Sequence, residues 1–318
     1  MLIRWKRSKQ WVVGFGFAAS LLAFGLVGEK AAACTRVVYL GEESQILTAR
    51  SMVSTTDGLN EKGLAVNALW LAESEYPEFD KNGSVPGLSI SVWGQYVLDN
   101  FATVAEAVSA LEKNEFVVVT SKVPGQQRLA TLHLAMSDAS GDSAIIEYID
   151  GKQVIHHSRQ YQVLTNSPPY AQQLALNAYW EQVGGRSMLP GTGRAADRFV
   201  RASFYTQAIP QNAPLDEAIT GILGVIRNAS VPYGITSDDE PNLSSTRWRT
   251  LVDHKNLVYY FESALSPNAF WVDLQNVDFG FDPTQAKRLE LGPQQRKTYH
   301  GDTSAQFELT EPFEFLGV

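Results

Sequence analysis

The residues best suited to chemistry in this chain are Cys34 and the run in front of it, Ala31-Ala32-Ala33. Cys34 is the only cysteine in 318 residues. Small residues at −3 and −1 are what a signal peptidase accepts, so a cut after Ala33 would make Cys34 the first residue of the mature chain. One residue would then carry both a thiol and an α-amine. A free α-amine titrates at about 7.7–8.0 and a free thiol at about 8.5, so the amine can take the thiol's proton near neutral pH. This is a nucleophile with its base built in, the logic of a hydrolase whose first residue attacks the substrate. Two plainer readings compete, a buried structural thiol and a lipid-modified cysteine. Alanine at −3, where leucine is usual, speaks against the lipid. A lone thiol exported to an oxidising compartment is a liability without a task, which speaks for catalysis.

Arg4, Lys6, Arg7 and Lys9 precede a largely apolar stretch from Trp11 to Val27. That stretch approaches the length of a short transmembrane helix, but the basic front and the alanine exit favour an export signal. The expected organisation is a signal peptide over 1–33 and one domain over 34–318, with no stable membrane insertion after cleavage. The whole chain has a net charge of −8; the leader holds five of the 26 Lys and Arg and one of the 34 Asp and Glu, which leaves −12 on the mature part. Such a surface does not favour nucleic acid or anionic membranes. The five histidines show no metal-ligand spacing, and there is no phosphate-cradling glycine loop, so neither a metal nor a cofactor is expected.

The elements that must position Cys34 follow from local pattern. Val37–Leu40 and Ile46–Thr48 read as strands joined by a polar turn, with Arg50 just beyond the second. Asp57 to Gly63 reads as a turn and Leu64–Leu71 as a strand buried on both faces. Thr103–Lys113 has the apolar spacing of an amphipathic helix with Thr103 as its cap. Ala130–Asp138 and Ala144–Ile149 form a hairpin, and Gln153–His156 and Tyr161–Thr165 a further strand pair. His133, His254 and His300 are isolated in the sequence. Helices follow over Tyr170–Val183, Asp197–Gln207 and Leu215–Val225, then strands over Arg247–Asp253, Leu257–Glu262 and Phe270–Asp273. Phe279–Phe281 and Phe307–Phe315 read as packing segments. Strands, helices and strands again, without regular βα alternation, predict an α+β protein with stacked antiparallel sheets and outer helices.

Six motifs recur in order with those of a known family: Cys34 behind a leader, Ala49-Arg50-Ser51-Met52, Asp57-Gly58-Leu59-Asn60-Glu61-Lys62-Gly63-Leu64, Leu164-Thr165-Asn166-Ser167-Pro168, Asp197-Arg198-Phe199-Val200-Arg201 and Ser245-Thr246-Arg247-Trp248-Arg249. The chain resembles the choloylglycine hydrolase family of bile salt hydrolases and penicillin V acylases from Cys34 to about Asp273. The resemblance implies the four-layered αββα sandwich of N-terminal-nucleophile hydrolases and hydrolysis of a linear, non-peptide amide. It implies Cys34 as nucleophile with its α-amine as proton carrier, Arg50 beside the thiol, Asn166 as donor to the developing oxyanion, and Arg198 as a second cation. The family's other oxyanion partner falls at Trp70, a substrate-facing position. Trp70 implies the exported Gram-negative branch, hence a periplasmic enzyme. The implied partners are small acyl amides of the penicillin V, conjugated bile salt or acyl-homoserine lactone class, with a homo-oligomer possible in principle.

The sequence departs from the family after Met52, where Val53 stands in place of a catalytic-site aspartate and a segment of a hairpin or more is missing. This departure supports an alternative, a relative that binds acyl amides without cleaving them. The Gly184–Gly193 connection is also shorter than the loop that ties the tetramer of Gram-positive members.

Overall fold

The computed structural model describes residues 12–14, 34–52, 57–123, 127–185, 187–235, 245–277, 286–291 and 298–317. Val53, Phe279–Phe281 and all of the leader except 12–14 lie outside the described residues.

Two sheets stack face to face. One runs, in spatial order, β1 (Val12–Gly14), β4 (Asp57–Asn60), β5 (Ala65–Trp70), β8 (Leu132–Ser137), β9 (Ser143–Ile149) and β10 (Lys152–His157), with antiparallel neighbours throughout. The other runs β11 (Val163–Thr165), β2 (Thr35–Leu40), β3 (Ile46–Met52), β12 (Trp248–Asp253), β13 (Val258–Ser263), β14 (Ala269–Asp273) and β16 (Gly301–Asp302). Two small pairs complete the strands, β6 (Gly87–Ser89) with β7 (Val117–Val119) and β15 (Ala286–Arg288) with β17 (Glu308–Thr310).

Helices cover both outer faces. α1 (Trp93–Asn100) and α2 (Val104–Leu111) lie on the first sheet, where Trp93, Val97, Val104, Val108 and Leu111 pack on Val66, Leu134, Met136 and Ile146. α3 (Tyr170–Val183), α4 (Ala195–Ala208) and α5 (Leu215–Asn228) belong to the second, where Phe199, Ala202, Ile222, Val225 and Ile226 pack on Val37, Tyr39, Leu47 and Ala49. α5 shows why it forms: Ala218, Ile222, Val225 and Ile226 repeat at helical spacing, Asp216 and Glu217 sit in the first turn, and Arg227 in the last. In α2 the Thr103 hydroxyl accepts from the Glu106 amide at 3.2 Å, the cap expected from sequence. The architecture is α+β in four layers, as the element order predicts. No helix among the described residues is long and apolar enough to cross a membrane.

Three expectations need correction. Asp57–Asn60 is a strand, and only Glu61 to Gly63 turns; the Asn60 side chain accepts from the amides of Lys62 and Leu64, both at 3.0 Å, so the turn is tighter than its composition suggested. Gln153–His156 and Tyr161–Thr165 do not pair with each other. Asp150 and Gly151, at φ 50 and 69, form a two-residue hairpin turn that sends β10 back along β9, while β11 joins β2 in the opposite sheet. In the last packing segment Phe307 is partly buried against the core, but Phe313 and Phe315 are exposed and meet each other edge to face.

The space between the sheets is unusually polar. Arg36 donates to the Met136 carbonyl at 2.9 Å and to Ser143 Oγ at 3.0 Å; Thr48 and Ser137 share a 2.8 Å bond, and Thr250 donates to Asp57 at 2.7 Å. His133 and His156, unrelated in sequence, converge on one carboxylate: Glu147 accepts from His133 Nδ1 at 3.0 Å, from His156 Nε2 at 3.3 Å, and from the Tyr170 amide that opens α3 at 3.0 Å. Burial alone would raise Glu147, but these donors outweigh it and hold its carboxyl at about 2. A carboxyl depressed in the folded state contributes stability that is present above its unfolded value of about 4.3 and lost as pH falls towards 2. We expect Glu147→Gln to lower unfolding stability by about 1–3 kcal/mol at neutral pH. Urea midpoints followed against pH should show the gap from wild type closing on acidification; a constant gap would refute this account.

Candidate active site

Cys34 lies fully buried at the mouth of β2, and three side chains from three distant segments grip it. Its backbone nitrogen donates to Asn166 Oδ1 at 2.7 Å. Its sulfur lies 4.0 Å from Arg50 Nη2, on the neighbouring strand β3. Its carbonyl oxygen accepts from Arg198 Nη1. The register explains the convergence: Thr35 pairs with Ser51 and Arg36 with Arg50, so the residue before Thr35 comes beside the Arg50 side chain. On the other side Thr165 pairs with Thr35, which brings Asn166 to Cys34 from β11.

Asn166 is held on every side. Its oxygen also accepts from Arg198 Nη2 at 2.8 Å, and its Nδ2 donates to the Trp70 carbonyl at 2.8 Å. A carboxamide has two N–H groups, so one remains beyond the bond to Trp70. Gln173, fully buried in the first turn of α3, donates to the carbonyls of Asn166 at 2.6 Å and Pro168 at 2.7 Å, while its oxygen accepts from the Thr165 amide at 3.1 Å. Gln173 carries no signal in the sequence that would have marked it; only the helix docking reveals that it pins the Asn166 segment.

Arg198 enters from α4. Besides Cys34 and Asn166 it donates to Thr35 Oγ1 at 2.6 Å and, through Nε, to the Gly193 carbonyl at 3.0 Å. Burial pulls its guanidinium down to about 10, with Cys34 acting in the opposite sense, so it stays charged at neutral pH. Arg36, lowered by burial to about 9, also stays charged. The bonds described for Arg36 and Arg198 all end on neutral oxygens. Arg50, also fully buried, is the guanidinium beside the sulfur, and Arg198 holds the carbonyl of the same residue. Buried charge is costly, and a site with cations built into it this way is suited to holding negative charge.

Trp70 is the last residue of β5 and is buried. Its carbonyl, not its ring, meets Asn166, and the ring lies beneath the Arg128 guanidinium, whose carbon is 4.1 Å from the ring centroid. Asp57, read from sequence only as part of a turn, is buried at the start of β4. Among the described residues no group of His, Cys, Asp and Glu is placed to hold a metal ion.

The profile of the linear amide C–N hydrolases, choloylglycine hydrolase family, matches residues 45–287. A penicillin V acylase from Pectobacterium atrosepticum is 59% identical over 281 residues, covering 85% of this chain and 75% of that protein. A bile salt hydrolase/transferase from Clostridium perfringens is 28% identical over 251 residues, covering 70% of this chain and 74% of that protein. Among solved structures, penicillin V acylase from Agrobacterium tumefaciens superposes with a TM-score of 0.81 at 53% identity, over 90% of this chain and 100% of that one. A mutant of the conjugated bile acid hydrolase from Clostridium perfringens shares the fold with a TM-score of 0.64 at 20% identity, over 77% of this chain and 93% of that one. These similarities give no support to a relative that binds without cleaving. The chain belongs to the choloylglycine hydrolase family of linear amide C–N hydrolases, of penicillin V acylase type, on the α+β N-terminal-nucleophile hydrolase fold.

Proposed function

We propose that this chain is an exported, periplasmic cysteine amidohydrolase whose nucleophile is Cys34, released as the mature N-terminus by removal of residues 1–33. The observation that carries the reading is the three-sided grip on Cys34, with its nitrogen on Asn166, its sulfur beside Arg50 and its carbonyl on Arg198. The α-amine takes the thiol proton, and the sulfur attacks the acyl carbon of the amide. Asn166, with its remaining N–H, and the surrounding guanidiniums face the negative charge that develops on the carbonyl oxygen. As the C–N bond breaks, the ammonium returns the proton to the departing amine and leaves a thioester. Water then adds to the thioester, releases the carboxylic acid and restores the thiol.

The substrates in this proposal are small acyl amides of the penicillin V type, with conjugated bile salts and acyl-homoserine lactones as the other classes to assay. Trp70, beside Asn166, lines the acyl side of the site. Mass analysis of the exported protein tests the reading directly. A product that begins at Cys34 with an unmodified amine, and that yields a covalent acyl adduct on that residue during penicillin V turnover, is the expected result. A mature chain that starts elsewhere, or whose Cys34 amine is blocked, overturns it, because the proposed chemistry then has no base.

A further inference from the structure

Two of the hydrogen bonds of Asp57 end beside residues that hold Arg50. Its Oδ2 accepts from Thr250 Oγ1 at 2.7 Å, and Thr250 is the residue paired with Arg50 across β12 and β3. Its Oδ1 accepts from Asn67 Nδ2 at 2.5 Å, and Asn67 immediately precedes Ala68, whose carbonyl accepts from Arg50 Nη2. One carboxylate therefore ties a strand of each sheet together at the place where the Arg50 side chain crosses between them. Asp57 is 2% exposed and Arg50 fully buried, so water does little to screen the attraction between them.

We propose that Asp57 is the positioning residue for Arg50: it fixes the guanidinium against the Cys34 sulfur through the Thr250 and Asn67 bridges and through its own charge. The inference rests on the reading of Cys34 as nucleophile. Burial raises the Asp57 carboxyl above its ordinary range, and Arg50, Thr250, Tyr259 and Asn67 act in the opposite sense without cancelling that rise.

The neighbourhood allows a clean test. Asn67 Oδ1 is buried and has no hydrogen-bond partner, so in Asp57→Asn the Asn67 amide can turn over and accept from the new side chain. Shape and both bridges survive, and only the charge is lost. The processed protein and its Asp57→Asn, Arg50→Leu and doubly substituted forms should be compared in two ways. The first is kcat and KM on penicillin V. The second is the pH at which the Cys34 thiolate forms, read as ultraviolet absorbance relative to Cys34→Ala; one cysteine in the chain makes that difference specific.

Asp57→Asn is expected to lower kcat on the order of 10–10²-fold with little change in KM, as misplacement of a group at the reacting centre does. It should also move thiolate formation to higher pH, and add nothing when Arg50 is already leucine. The thiolate readout needs no turnover, so it stands even if the activity reading fails, and that failure would show separately as Cys34→Ala retaining full activity. Asp57→Asn with wild-type kcat and thiolate formation, whatever its melting temperature, would leave Asp57 as a mere pin between sheets. Thiolate formation at lower pH would equally overturn the proposal, since Asp57 would then only be damping the field of Arg50.

Discussion

Cys34→Ala is expected to reduce turnover of penicillin V by about 10⁴-fold or more, since removal of a nucleophile typically leaves only the contribution of the binding and oxyanion groups. The fold should survive, because the Asn166 and Arg198 contacts to Cys34 use its backbone nitrogen and carbonyl rather than its sulfur. Cys34→Ser should retain little activity, as a hydroxyl is far less acidic than a thiol and the α-amine is then a mismatched base. An uncut precursor, prepared by replacing the alanines before the cleavage point with bulky residues, should be as inactive as Cys34→Ala. In it the Cys34 nitrogen is an amide and cannot take a proton. Steady-state rates on these three variants and the processed wild type, with circular dichroism to check folding, decide the matter. Equal rates for the processed and uncut forms would remove the α-amine from the mechanism.

The second large effect is expected at Arg198. Arg198→Leu removes a donor from three buried acceptors, the Cys34 carbonyl, Thr35 Oγ1 and Asn166 Oδ1, and from the half-buried Gly193 carbonyl. A buried acceptor left without a partner costs about 1–3 kcal/mol, and the Cys34 carbonyl and Thr35 Oγ1 lose this donor together, so unfolding stability should drop by about 3 kcal/mol. Activity of the folded protein should fall by about 10²–10³-fold, because Asn166 loses one of the contacts that fix its carboxamide and the site loses a cation. Arg198→Lys is not a conservative change here: an ammonium on a flexible stem cannot reproduce the planar fork that spans three segments. It should recover part of the stability and little of the rate. Thermal unfolding together with kcat separates the two contributions, and a stable, active Arg198→Leu would contradict the network.

Much of this was legible in the sequence because short motifs carry it. Cys34 announced itself as the sole thiol behind an export-type leader, and Arg50, Asn166 and Arg198 each sat in a recognisable run. β-Branched and alternating segments located most strands, and helical spacing located α2 through α5. What local pattern could not supply was register between sheets. Asp57 looks like any aspartate before a glycine until Thr250 and Asn67 are seen to close on it. Glu147 and its two histidines, 14 and 9 positions away, sit on three successive strands and meet only because β8, β9 and β10 lie side by side in that register. The mispairing of Gln153–His156 with Tyr161–Thr165 has the same origin: the Asp150-Gly151 turn carried the hairpin signal, and its proper partner lay upstream.

Chain ends ordinarily fray, since nothing holds the last few residues but their own hydrogen bonds. The end proposed here is of another kind. Arg198 clasps the carbonyl of residue 34 and the hydroxyl of residue 35 from a helix, and Asn166 takes the nitrogen, so cleavage would yield a terminus already moored on three sides. Such an enzyme would spend no ordering entropy on its reacting group when substrate arrives, and its foremost residue should be among the last to exchange its surroundings with solvent.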